Sequence, residues 1–177
     1  MQTNRWWELN ALRELLGEQD RAVKPLGYDY GPDPQRPEYA FLAADVEGAR
    51  RSIVLLHPHT LITCEVGQTS EPRLRVKQLQ AAAAPPKNSV SSADFAGVRL
   101  AGWVVLFHAD VRSARSAVSF VLEGDDKLKF LVTGLAPGTW EIWRNGWLEN
   151  QQAFVAPRAG ALYFEGLAGS YFLRRPA

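Results

Sequence analysis

Arg51-Ser52-Ile53-Val54-Leu55-Leu56, then His57-Pro58-His59-Thr60, then Leu61-Ile62-Thr63-Cys64-Glu65-Val66, reads as two apolar, β-branched strands joined by a short turn, a hairpin. The run Ile53 to Leu56 is apolar on both faces, which marks a central strand covered twice. Period-two alternation puts Cys64 on the face of Ile62 and Val66. It reads as a small buried hydrophobe rather than a reactive thiol. The chain has one cysteine, so neither an intramolecular disulfide nor a cysteine-rich metal site can form.

Outward from this hairpin the pattern repeats. Arg73–Leu79 follows a turn at Glu71-Pro72, and 81–88, with Pro85-Pro86, reads as a linker. Val98–Ala109 reads as one long strand kinked at Gly102. Ala117–Leu122 and Leu128–Leu135 flank Gly124-Asp125-Asp126, which reads as a hairpin tip of solvated acids. Asn145-Gly146, between Trp143 and Trp147, is a type I′ hairpin signal. Short strands at Thr139–Arg144, Gln152–Val155, Ala161–Glu165 and Ser170–Leu173 complete the series. Upstream, Trp6, Leu9, Leu12, Leu15 and Leu16 recur at helical spacing, with Thr3 or Asn4 as cap and Gly17 as stop. From Glu18 to Glu38, prolines and glycines break every period, and a long loop is expected.

The fold class is therefore all-β: an antiparallel β-sandwich or stacked sheets with one short N-terminal helix. Two regions are expected, an N-terminal helix and Pro/Gly-rich loop over 1–38 and a β-sandwich domain over 39–177. The expected core is Ile53, Leu55, Ile62, Cys64, Val66, Val104, Leu106, Phe130 and Val132.

At 177 residues the chain is long enough for about one domain with a real core. Its 46% hydrophobic and 22% charged residues are ordinary globular usage and argue against disorder. Lys+Arg 20 against Asp+Glu 19 leaves no global basic field, so no nucleic-acid partner is expected. No apolar run approaches the ~20 residues of a membrane-spanning helix, so no membrane partner is expected. Met1 to Glu8 has no signal-peptide core, and the chain reads as soluble and unexported.

Tyr39-Ala40-Phe41-Leu42-Ala43-Ala44-Asp45, the Arg51–Pro58 strand and turn, and Leu61–Val66 are similar to the β-sheet region of heparinase II/III-like polysaccharide lyases. Phe130-Leu131-Val132-Thr133-Gly134-Leu135-Ala136-Pro137-Gly138-Thr139-Trp140, Leu162–Glu165 and Gly169–Leu173 resemble the last strands of those proteins. The resemblance runs from about Tyr39 to Leu173. Glu65 stands where the family more often has aspartate, and the connection between Ala49 and Arg51 is shorter than the family's. The family's α/α toroid, which carries most catalytic residues, has no counterpart in these residues. The resemblance thus implies the β part of a lyase: a fragment, a split partner or an accessory module, extracytoplasmic if part of a larger lyase. It implies an acidic polysaccharide as ligand and a separate toroid-type lyase subunit as partner. Binding or support is expected more than turnover.

β-Elimination next to a uronate needs a base, an acid and a group that neutralises the carboxylate. His57 and His59, flanking Pro58, and Tyr39 are the catalytic candidates. The same two histidines could converge on a cation, but no ligand-spaced acid or cysteine joins them, so neither metal nor cofactor is expected. His108 shares its strand face with Val104 and Leu106 and reads as a buried, satisfied side chain. Arg73, Arg75 and Lys77 alternate with Leu74 and Val76, so three cations point one way, roughly 7 Å apart. Such a row could track carboxylates or sulfates along a glycan. The plainer reading is an edge strand guarded by charge. Trp143 and Trp147 are the candidate sugar-stacking residues. A stand-alone carbohydrate-binding or structural β-sandwich without catalytic activity is the alternative, and a complete small enzyme using the 28–39 loop with His57 and His59 is a third.

Overall fold

The computed structural model describes residues 23–30, 39–46, 49–56, 60–67, 73–78, 88–92, 94–100, 102–108, 114–155 and 160–177. The expected helix over Asn4–Leu16, the turn residues His57 and His59, and the linker before Asn88 lie outside them. The chain forms two compact units, Met1–Pro85 and Pro86–Ala177.

The first unit is a five-stranded antiparallel meander. Its strands are β1 (Val23–Tyr30), β2 (Tyr39–Val46), β3 (Ala49–Leu56), β4 (Thr60–Val66) and β5 (Arg73–Gln78), paired in sequence order. The opening hairpin is β3–β4, with Ile53 opposite Thr63 and Ser52 opposite Cys64. β3 is central, and the adjacent Ile53 and Val54 are both buried, so both of its faces are covered there. Phe41, Ile62, Cys64 and Val66 are buried too. The loop expected over 18–38 is corrected at Val23–Tyr30, which is an edge strand paired with β2. The pairing carries that strand across the expected border at residue 38. Pro25 and Gly27 hid it: proline cannot serve a sheet interior but is tolerated at an edge. The register slips between Pro25 and Asp29.

The second unit is a sandwich of two sheets. One has the order β13-β10-β8-β7-β6, from β6 (Asn88–Ser92), β7 (Phe95–Leu100), β8 (Trp103–His108), β10 (Lys127–Thr133) and β13 (Ala161–Leu167). The other has the order β12-β11-β14-β9, from β9 (Ala117–Val121), β11 (Gly138–Arg144), β12 (Trp147–Val155) and β14 (Ser170–Arg174). Pairing is antiparallel except between β8 and β10, which run parallel. Val104, Leu106, Phe130 and Val132 of one sheet share a core with Phe120, Trp140, Ile142 and Tyr171 of the other.

Two local readings are corrected. The long strand expected over Val98–Ala109 is a tight hairpin: Leu100 pairs with Trp103, and Gly102 turns the chain at φ 81°. The segment around Gly124-Asp125-Asp126 is not a hairpin tip, because β9 and β10 belong to different sheets. It crosses the sandwich, and both acids are exposed as expected; Arg99 also donates to the Asp126 carboxylate and, at 2.8 Å, to the Glu123 carbonyl. The Asn145-Gly146 turn has φ 51° and 82°, the positive pair that type I′ requires. The Asn145 side chain also accepts a hydrogen bond from the Ser170 amide at 2.9 Å.

Tyr171 closes the core, donating its hydroxyl to the Leu167 carbonyl at 2.6 Å. Burial pushes its phenol up to about 12, against about 10 in an unfolded chain. The folded state therefore holds the proton more tightly. This contribution to stability is complete below pH ~10 and is lost as pH rises towards ~12. Urea midpoints measured across that window should fall, and a Tyr171→Phe variant should lose less stability there than the parent.

Candidate functional site

The basic row lies on β5, the edge strand of the first unit. Arg73, Arg75 and Lys77 occupy alternate positions, opposite Glu65, Thr63 and Leu61 of β4. Arg73 is exposed. An edge strand with cations at every second position is guarded against pairing with another chain, and the three positions lie along one line of the strand. Tyr39, at the start of β2, is buried. His57 and His59 lie outside the described residues.

The two candidate tryptophans are not brought onto one face. Trp143 pairs with Leu148 of β12 and with Phe172 of β14, on the outward face of the four-stranded sheet. Trp147 pairs with Arg144 and so has the opposite parity, beside the hairpin turn, where it is 80% exposed. Trp140, which faces inward, is fully buried and donates to the Ala136 carbonyl at 3.0 Å.

Around Trp143 the outward face is built in rows. Leu148, Trp143, Phe172 and Ser119 are consecutive partners across all four strands. The next row is Gln152, Glu141, Arg174 and Ala117. Phe154 and Thr139 follow on β12 and β11, and Val121 and Ser170 on β9 and β14. Glu141 is held at the centre: Arg174 Nε donates to its Oε2 at 2.6 Å, and Trp143 Nε1 to the same oxygen at 3.1 Å. Those bonds, Arg174's first, hold its carboxyl below the usual carboxylate range. The Arg174 guanidinium also lies over the Trp143 ring, 5.5 Å from its centroid. Among the described residues, six large apolar side chains are exposed, and four of them (Val121, Leu148, Phe154 and Phe172) are on this face. The sequence reading passed over them. The signal was in Ser170-Tyr171-Phe172-Leu173-Arg174, which puts aromatics on both faces of one strand.

A second polar–aromatic cluster sits on the five-stranded sheet. Lys129 lies over Trp103 at 5.4 Å, and Trp103 contacts Tyr163 at 5.8 Å between ring centroids. Tyr163 donates to Glu165 at 2.9 Å, and Lys127 pairs with the other oxygen of Glu165 at 3.0 Å. These two partners, Lys127 foremost, hold the Glu165 carboxyl below the usual range. His108 is buried against Phe95, and its Nε2 accepts from Arg115 Nε at 2.9 Å. Arg115 in turn pairs with Asp94 at 3.2 Å, so this histidine is part of a structural tie. No three His, Cys, Asp or Glu among the described residues gather as a metal site, and none of their helices is long and apolar enough to cross a membrane.

Residues 89–175 match the family model described as the heparinase II C-terminal domain. The C-terminal unit resembles the C-terminal β region of heparinase II/III-like proteins. The match takes in β7 to β14 and ends just past Arg174. It contains the Phe130–Trp140, Leu162–Glu165 and Gly169–Leu173 segments that resemble the last strands of heparinase-type proteins. The Tyr39–Val66 segments, the basic row and the histidine turn precede it. No curated protein matches the chain.

Proposed function

We propose that the chain is the β module of a heparinase-type polysaccharide lyase, and that it binds an acidic polysaccharide or helps to process it beside a separate toroid-type subunit. The match over 89–175 carries this reading. Two features support a binding role. The Arg73, Arg75 and Lys77 positions lie in line on an edge strand, and guanidinium groups bind carboxylates and sulfates in bidentate fashion. Tyr39 is packed inside its sheet rather than presented to a substrate. A second reading, a carbohydrate-binding sandwich with no lyase partner, is favoured by the exposed aromatic face around Trp143.

The test is incubation of the chain alone with a panel of uronic-acid glycans, followed by both binding and near-ultraviolet absorbance. Binding of at least one acidic glycan without unsaturated product is expected. Product made by the chain alone would identify a complete small enzyme instead. Failure to bind any member of the panel would overturn the proposal.

A further inference from the structure

The outward face of β12-β11-β14-β9 points to a second binding site, one that takes uncharged sugar rings rather than the acidic groups assigned to β5. This inference rests on the carbohydrate reading above and specifies the chemistry of one surface. An apolar face left open to solvent on a folded unit marks an interaction surface. Its composition argues for sugar. The apolar row of Leu148, Trp143 and Phe172 runs across the strands beside a row with Glu141 and Arg174 at its centre. Neighbouring strands are about 4.8 Å apart, so ring-bearing and hydrogen-bonding positions lie side by side.

A pyranose presents C–H groups on its ring face and hydroxyls at its edge. Aromatic rings suit the face. A hydroxyl both donates and accepts, and an ionised carboxylate fixed beside a guanidinium offers one of each. Ser119, Thr139 and Ser170 add exposed hydroxyls around the same rows. The charges on the face are already matched, Glu141 with Arg174. The face therefore offers no net charge to an anionic group, because its guanidinium is already engaged by the Glu141 carboxylate. That balance favours an uncharged segment over a carboxylated or sulfated one.

The experiment titrates the full chain with cellohexaose, xylohexaose and an N-acetylglucosamine hexamer at low and high salt, beside an acidic glycan, and records sedimentation at each protein concentration. Binding of at least one neutral oligomer is expected, unchanged by salt. Phe172→Ser and, independently, Glu141→Gln should each weaken it roughly tenfold, the scale of one lost stacking or charge-assisted contact. Arg75→Gln should leave it unchanged. If acidic glycans bind and no neutral oligomer does, this inference fails while the module reading stands. If no glycan of either kind binds, both fail. If the chain dimerises and Phe172→Ser abolishes the dimer without a glycan effect, the face is an interface between copies, and the inference fails.

Discussion

Replacing Phe130 with alanine is expected to cost about 3–5 kcal/mol of folding stability, the range for deleting a large buried aromatic. Phe130 is fully buried at the centre of the sandwich. Its ring stacks on Phe164 at 4.6 Å and 3°, tilts against Tyr171 at 4.9 Å and contacts Phe120 at 5.9 Å. Those partners come from both sheets, so the cavity cannot close by movement of one strand. Removing the ring forfeits its burial and also leaves aromatic neighbours facing a void. Urea unfolding of the variant should show a large drop in midpoint. A loss under about 1 kcal/mol would mean that the sheets do not share this core.

Gly97→Ala is expected to be clearly damaging too, although it adds a single methyl. Gly97 sits in β7 opposite Leu106 of β8 and opposite Val90 of β6. A Cβ built there would lie 2.3 Å from Leu106 Cδ2 and 2.6 Å from the Val105 carbonyl oxygen. The leucine could rotate, but the carbonyl belongs to the backbone of a strand buried on both faces. The β7–β8 ladder must therefore shift, at a cost of about 1–3 kcal/mol for overpacking. By contrast, Gly146 has nothing within 4 Å of its Cβ position, and its constraint is conformational alone, φ +82°. Melting temperatures should rank Gly97→Ala well below a surface substitution such as Ser119→Ala.

Local chemistry made much of this fold legible. Asn-Gly specifies a turn by itself, and the apolar run at Ile53-Val54 specifies a strand covered on both faces. Each expected core residue with a described side chain is buried; Leu55 lies outside the described side chains. What could not be read is set by distant partners. Ala101-Gly102 lacks the usual hairpin dipeptide, and apolar residues run on both sides of it, so two strands looked like one. Nothing near Gly124 says that β9 and β10 enter different sheets, nor that β10 lies parallel to β8. The two candidate surfaces follow the same rule. The basic row was visible because alternation along one strand is enough to see it. The outward aromatic face was not, because Trp143, Leu148 and Phe172 become neighbours only through the β11–β12 and β11–β14 registers.

The central claim, that this module holds an acidic polysaccharide through β5, is tested most directly by the salt dependence of acidic-glycan binding to the parent chain and to Arg75→Gln. Contacts between exposed charges are screened beyond about 8–10 Å at physiological ionic strength. Affinity should therefore fall steeply with salt in the parent, and at low salt the variant should bind more weakly, with a melting temperature nearly unchanged. Full affinity in the variant, or binding indifferent to salt in the parent, would contradict the claim and leave the basic row as a solvated edge.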